Sequence, residues 1–429
     1  MTKTGVASRL AEALAIVLGT KEIPLRLHAW DGSEAGPADA PVVIFRSRRA
    51  LRRIVWSPGQ LGLSRAYVAG DIDAPGDIFT AFAALNSVGK FAEAGSRPLS
   101  AGERWKLLRT AIRLRALGPN PAPPPEEANV HRHGHRHSKR RDAAAISHHY
   151  DVGNDFYALV LGPSMVYSCA VWNEELIGAA DGLDAAQEAK LDLVCRKLGL
   201  QPGMRVLDVG CGWGSFALHA AQRYGVNVIG VTLSTEQAAM ARKRVADAGL
   251  TDRVDIRVQD YRDVDDGPFD AISSIGMSEH VGRAQIEHYA SHLHSLLRPG
   301  GRLLNHAISW NAGPTAADPD SFIPRYVFPD GEMLSLAEMI AALESSSFEV
   351  LDVEALRRHY SLTLRAWVQR LEEHWDEAVQ SAGEGRARVW RLYMAASAIG
   401  FEDGITGVNQ VLVQRDGGAE PPLRRTAWS

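Results

Sequence analysis

The feature that most constrains this chain is VLDVGCGWG, residues 206–214, where an apolar run ends directly on three glycines spaced two apart and passes into the amphipathic run SFALHAAQRY. A strand feeding a glycine loop and then a helix opens a parallel sheet, because parallel neighbours need a crossover and the crossover is usually a helix. The rhythm continues. NVIGV, VDIRVQ, FDAISSI and GRLLNHAIS read as further strands, with EQAAMARKRVADAG and QIEHYASHLHSLL as helices between them. The fold class that follows is α/β, a doubly wound, Rossmann-like sheet with helices on both faces. Ligands of such sheets lie at the carboxyl edge of the strands, and Gly210, Gly212 and Gly214 let the backbone approach one closely. A nicotinamide dinucleotide would want an acidic residue for its ribose about 20 residues further on. Thr232, within GVTLSTEQ, stands there instead, which disfavours a nicotinamide enzyme and leaves an adenosyl ligand held by Thr232 and Gln237.

At 429 residues the chain exceeds one ordinary core. Its composition breaks between Gly118 and Asp142, where GPNPAPPPEEANV gives way to HRHGHRHSKRR. Prolines favour extended chain and crowded like charges resist packing, so 118–142 reads as a linker between a domain over 1–117 and one over 143–429. The alternating His131, His133, His135 and His137 sit in a tract without the supporting groups that hold metal ligands, and no metal site is assigned. Before the linker, PVVIFRS has strand character, while SRRALRRIVW and ERWKLLRTAIRLRAL have helical spacing, giving a smaller α+β domain. Arg46, Arg48, Arg49, Arg52 and Arg53, with Lys106, Arg109, Arg113 and Arg115, suit anionic headgroups, with Trp56 and Trp105 at the interface. Solvated helix faces are the plain alternative.

A net charge of −4 argues against nucleic acid as a partner. Three irregularly placed cysteines, Cys169, Cys195 and Cys211, make neither a disulfide framework nor a zinc site, and a reducing cytosol is expected. No apolar run approaches the ~20 residues that span a bilayer. A lipid partner is therefore met from the membrane surface. A homo-oligomer is left open.

From about His148 to Gln414 the chain resembles the cyclopropane fatty acid synthases and the related mycolic acid methyltransferases. HYDVGNDFY, MVYSCAVW, AQEAKLDLVCRKLGLQPG, VLDVGCGWG, GVTLSTEQ, QDYRD, SIGMSEHVG, LLNHAIS, IPRYVFPDG and HYSLTLRAW stand as that family's blocks, in its order. The N-terminal third resembles it more loosely, through LGLSRAYVAGDID, and the domain implied there is a small lipid-associated one. The resemblance implies a class I methyltransferase sheet and S-adenosylmethionine as cofactor. Tyr167 and Ser168 would contact the sulfonium compound, Gly210 and Gly212 its methionine portion, Thr232, Leu233 and Gln237 its adenosyl side, and Asp260 and Tyr261 its adenine. It also implies a bicarbonate ion beside the reacting methyl group, held by Cys169, Glu279, His306, Ile308 and Tyr360.

The activity so implied is transfer of a one-carbon group to the double bond of an unsaturated phospholipid acyl chain, giving a cyclopropane. The enzyme would be cytoplasmic and peripheral to the inner face of the membrane. A methylene or methyl branch on the same substrate is one alternative, and a small-molecule methyltransferase another. Aromatic faces can shield a carbocation without reacting with it, and Tyr167, Trp172, Tyr326 and Phe328 are candidates. Ser397, in YMAASAIGFED, stands where many members carry a cysteine, so covalent thiol chemistry is excluded at that position.

Overall fold

The computed structural model describes residues 5–87, 99–127, 138–139, 141–142, 152–311, 321–418, 420–425 and 428. The histidine tract, residues 128–137 and 140 of the expected linker and the start of HYDVGNDFY lie outside the described residues. The chain divides into two compact units, the first comprising Met1–Asn129, Asp318–Val327 and Gly383–Ala395 and the second the remainder. Two late stretches thus join the N-terminal third, which no local sequence signal announces.

The first unit holds a four-stranded sheet, β1 (Arg26–Ala29), β2 (Glu34–Ala35), β3 (Val42–Phe45) and β4 (Ile72–Asp73), in the order β2-β1-β3-β4. Leu10, Ile23, Leu27, Phe45, Ala50 and Ile72 form its core with Leu114. The helix Arg48–Trp56 starts at Ser47, whose hydroxyl accepts from Arg49 N at 3.2 Å. Its arginines divide by helical phase. Arg53 is 3% exposed, with Nε on Asp71 at 2.9 Å and Nη1 on the Ala122 carbonyl at 2.7 Å. The expectation that it meets headgroups is therefore corrected: it is an internal tie, whereas Arg48 and Arg49 are exposed. Tyr326 differs from expectation as well. It is 2% exposed, and its hydroxyl donates to Glu127, a carboxylate that Arg65 grips through Nε and Nη2 at 2.6 Å each.

The second unit is built on β5 (Arg205–Val209), β6 (Asn227–Thr232), β7 (Val254–Val258), β8 (Phe269–Ile275), β9 (Leu297–Trp310), β11 (Phe348–Ala355) and β12 (Thr406–Arg415), with the short β10 (Leu334–Ser335) beside β9. Their order is β11-β12-β9-β8-β5-β6-β7. The run from β7 to β9 is parallel, while β12 lies antiparallel to both β9 and β11. The sheet is therefore mixed at one edge. The stretch 337–400 is half helical in its sequence pattern, and FEVLDVEA within it forms β11, held by β12. Alternation along β5 divides the core. Val206 packs with Phe216, Ala220, Val228 and Ala241, and Leu207 and Val209 pack on the other face with Ile272, Leu293 and Leu303. Asp208 has the parity of Val206, which turns it towards the helix Gly182–Leu198, whose Val194 and Cys195 belong to that same core.

Candidate active site

The glycine loop is pinned from beneath, because Gly210 N and Cys211 N both donate to the Val231 carbonyl, at 2.9 and 3.0 Å. That turn requires positive φ, +76° at Gly210 and +54° at Gly212. A Cβ at Gly210 would lie 2.5 Å from Met277 Cγ, whereas one at Gly212 would meet nothing within 4 Å. Gly212 therefore faces open cleft, and its missing side chain is space for a ligand. Tyr167, Ser168, Gly210, Gly212, Thr232, Leu233, Gln237, Asp260 and Tyr261 all line this one cleft at the carboxyl edge of β5, β6 and β7.

The side of the cleft formed by Thr232 and Gln237 is internally bonded. Thr232 Oγ1 donates to Gln237 Oε1 at 3.1 Å and accepts from Ser234 N at 3.2 Å, while Ser234 caps the helix Thr235–Asp247 by accepting from Gln237 N. Burial pushes the Asp260 carboxyl up, but the Arg262 guanidinium outweighs it through bonds of 2.8 and 2.6 Å and holds it below the usual carboxylate range. Arg262 also reaches Asp142 at 3.0 Å, on the cleft rim. Tyr167 lies between the rings of Tyr157 and Trp367, with centroids 5.8 and 5.3 Å away.

The five residues expected around the reacting methyl are connected by bonds and strand register. Glu279, in the short helix after β8, accepts from Ile308 N through Oε1 at 2.8 Å. Ile308 stands opposite Val408 of β12, whose carbonyl accepts from Leu356 N. The Leu356 carbonyl faces Cys169 Sγ at 3.7 Å and takes the first helical bond from Tyr360 N. His306, two residues before Ile308 on β9, stands opposite Gln410.

Their electrostatics follow from burial. The Cys169 thiol is pushed well up, so it is not a thiolate nucleophile. Glu279 is pushed up to about 7. Burial, with the charges of Lys190 and Lys197 behind it, lowers His306 to about 3, leaving the ring neutral. Gln410 Nε2 faces His306 Nδ1 at 3.3 Å and can only donate, so the ring proton lies on Nε2. Both Glu279 Oε2 and His306 Nε2 are buried without a partner.

Of the aromatic candidates, Trp172 is held by its indole N–H on Thr363 Oγ1 at 3.0 Å, and Phe328 packs edge-on against His280 of the cleft wall. Motif reading missed Lys190, Asp208 and Met277, which also line the cleft. A lysine on the apolar phase of AQEAKLDLVCRKLG, beside Gln187, Leu191 and Val194, was the available signal for Lys190.

Fold and cleft together define a class I, S-adenosylmethionine-dependent methyltransferase. The sequence profile of the mycolic acid cyclopropane synthetase family matches residues 137–411, and the chain belongs to that family. It is 44% identical over 415 residues to a probable fatty acid methyltransferase of Mycobacterium tuberculosis, covering 95% of this chain and 94% of the relative. Against the cyclopropane-fatty-acyl-phospholipid synthase of Escherichia coli K12 it is 39% identical over 287 residues, 67% of this chain and 71% of the relative. The crystal structure of a mycolic acid cyclopropane synthase complexed with SAH and CTAB superposes with a TM-score of 0.59 at 33% identity, covering 64% of this chain and 98% of that one. Among the described residues, no helix is long and apolar enough to cross a membrane.

Proposed function

We propose that this enzyme transfers the methyl group of S-adenosylmethionine to the double bond of an unsaturated phospholipid acyl chain and, with loss of a proton, closes a cyclopropane ring. The observation that carries the reading is the pair of buried, partnerless polar atoms Glu279 Oε2 and His306 Nε2. A methyltransferase for an amine or phenol needs no such pair. Buried polar groups are normally satisfied, so two orphans connected through one strand call for a ligand. They offer one acceptor and one donor, which fits a small anion carrying a single hydroxyl. Bicarbonate, held there by Glu279, His306, the Ile308 backbone, Cys169 and Tyr360, would supply an acceptor for the proton lost from the added methyl.

The protein's own contributions are positional. The cofactor supplies an electrophilic methyl on sulfonium, and the glycine loop with Thr232 and Gln237 sets where that methyl points. Tyr167 presents a π-face that stabilises positive charge on the acyl carbon without capturing it. Glu279, with a carboxyl pushed up to about 7, accepts the anion's hydroxyl, and neutral His306 donates through Nε2–H.

A branched product is the second reading, because the relative matched over 95% of this chain is named a fatty acid methyltransferase. Both products arise from one cation and differ in which hydrogen leaves. We further propose that the substrate is met at the cytoplasmic membrane surface through the first unit. Trp105, Leu108 and Ile112 form an exposed apolar stripe on the helix Ala101–Arg113, whose flanks carry Lys106, Arg109 and Arg113. Incubating the enzyme with mono-unsaturated phospholipid vesicles and the methyl-deuterated cofactor tests these readings together. High-field ring protons with loss of the alkene signal are expected; vinylidene resonances without ring protons would establish the branched product, and unmodified lipid would end both readings.

A further inference from the structure

The helix Gly182–Leu198 buries two lysines that differ in one respect. Lys197 Nζ is met by two carboxylates, Asp352 at 3.0 Å and Glu354 at 2.6 Å. Lys190, two turns earlier on the same face and 1% exposed, has no ion pair among the described residues; it donates to the Ser168 hydroxyl at 3.0 Å. An ammonium has three donors, so two of them remain for something else. Burying an unpaired charge is costly unless a counter-charge arrives, and Lys190 lines the cofactor cleft, where one can. Asp208, 3% exposed, lines the same cleft; each group feels the other's charge, but they form no direct ion pair among the described residues. A buried cation and a buried carboxyl group that face one cavity without pairing are complementary to a zwitterion.

We propose that Lys190 reads the α-carboxylate of the cofactor's methionine portion, with Ser168 as the second donor to that carboxylate and Asp208 opposite the α-ammonium. The polarity of Ser168 follows from its neighbour. Its oxygen accepts from an ammonium, so its own proton points away and is free for a ligand oxygen. Burial lowers Lys190 to about 8, which leaves it charged at neutral pH. The residue recognises the cofactor and takes no part in methyl transfer.

The test is calorimetric binding of S-adenosylhomocysteine and of its decarboxylated analogue, which lacks that one group. Wild-type protein is expected to prefer the carboxylated ligand by on the order of 100-fold, the scale of a charge-assisted contact in a closed site. Lys190→Met should erase most of that preference by weakening the carboxylated ligand alone, and Lys190→Arg should restore part of it. Equal weakening of both ligands would mark Lys190 as structural and overturn the proposal, as would a wild-type protein that binds the two alike, a result independent of whether any variant folds. The proposal rests on the adenosylmethionine reading of the cleft, and a wild type that binds neither ligand would overturn that reading along with it.

Discussion

Two groups of buried polar residues in the second unit are built on opposite principles. Along the cofactor cleft, Thr232 and Ser234 bond Gln237 and Arg262 bonds Asp260, so a ligand is received by shape, backbone and committed polar groups. Around Glu279 and His306 the polar atoms are left over, and the strands that carry them are held by apolar packing and register. A self-satisfied surface is preorganised and complete without its ligand. On the proposed reading the second group is completed by an anion. Substitutions at the first should therefore act on affinity, and substitutions at the second on turnover.

The largest effect expected is from Gly212→Val. A branched side chain at φ +54° is strained and enters the open cleft, so calorimetry should show S-adenosylhomocysteine affinity reduced by more than about 100-fold. Unchanged affinity would place the cofactor elsewhere and dissolve the comparison.

Glu279→Gln sharpens it from the second group. Turnover should fall by roughly 100-fold while cofactor affinity stays within about twofold, because the amide cannot supply the acceptor charge. If affinity fell with turnover, the two groups would not be separable.

The same substitution predicts a pH effect on stability. The Glu279 carboxyl is raised in the fold, from 4.5 to about 7, so its contribution to stability is fully present below about 4.5 and is lost as pH rises through 7. The glutamine variant should gain on the wild type across that window, by on the order of 3 kcal/mol, and hold a constant lead above it. Thermal melts from pH 4.5 to 8 that run parallel would show that Glu279 is solvated rather than held for an anion.

The smallest effects belong to the first unit, where a buried arginine, Arg53, and exposed ones, Arg48 and Arg49, share a single helix. Replacing Arg48 and Arg49 by Gln should weaken binding to anionic vesicles by up to about 1 kcal/mol each, an effect that salt diminishes. Arg53→Gln should instead lower the melting temperature, because it abandons buried Asp71. Equal sedimentation of wild type and the double variant with anionic vesicles would return Arg48 and Arg49 to ordinary solvated arginines.

What the sequence determined by itself is the local part of this protein. Period-two apolar runs alternating with helical ones specify the parallel core of the sheet, and the glycines of VLDVGCGWG specify a loop that few other residues could form, so Thr232, Asp260 and their neighbours gather at one edge by topology alone. What only the tertiary structure decided is the state of each charge and each late partner. Lys190 and Lys197 look alike in AQEAKLDLVCRKLG, and Arg49 and Arg53 look alike in SRRALRRIVW. The lysines differ in whether carboxylates from a distant segment, Asp352 and Glu354, come within bonding distance; the arginines reach the same Asp71, but Arg53 is buried on it at 2.9 Å whereas Arg49 is exposed and 3.8 Å away. The strand FEVLDVEA was masked for a related reason, since its pairing partner β12 lies more than fifty residues later and supplies the hydrogen bonds that settle its conformation. Local pattern is set by neighbours along the chain, whereas burial and counter-charge are set by neighbours in space.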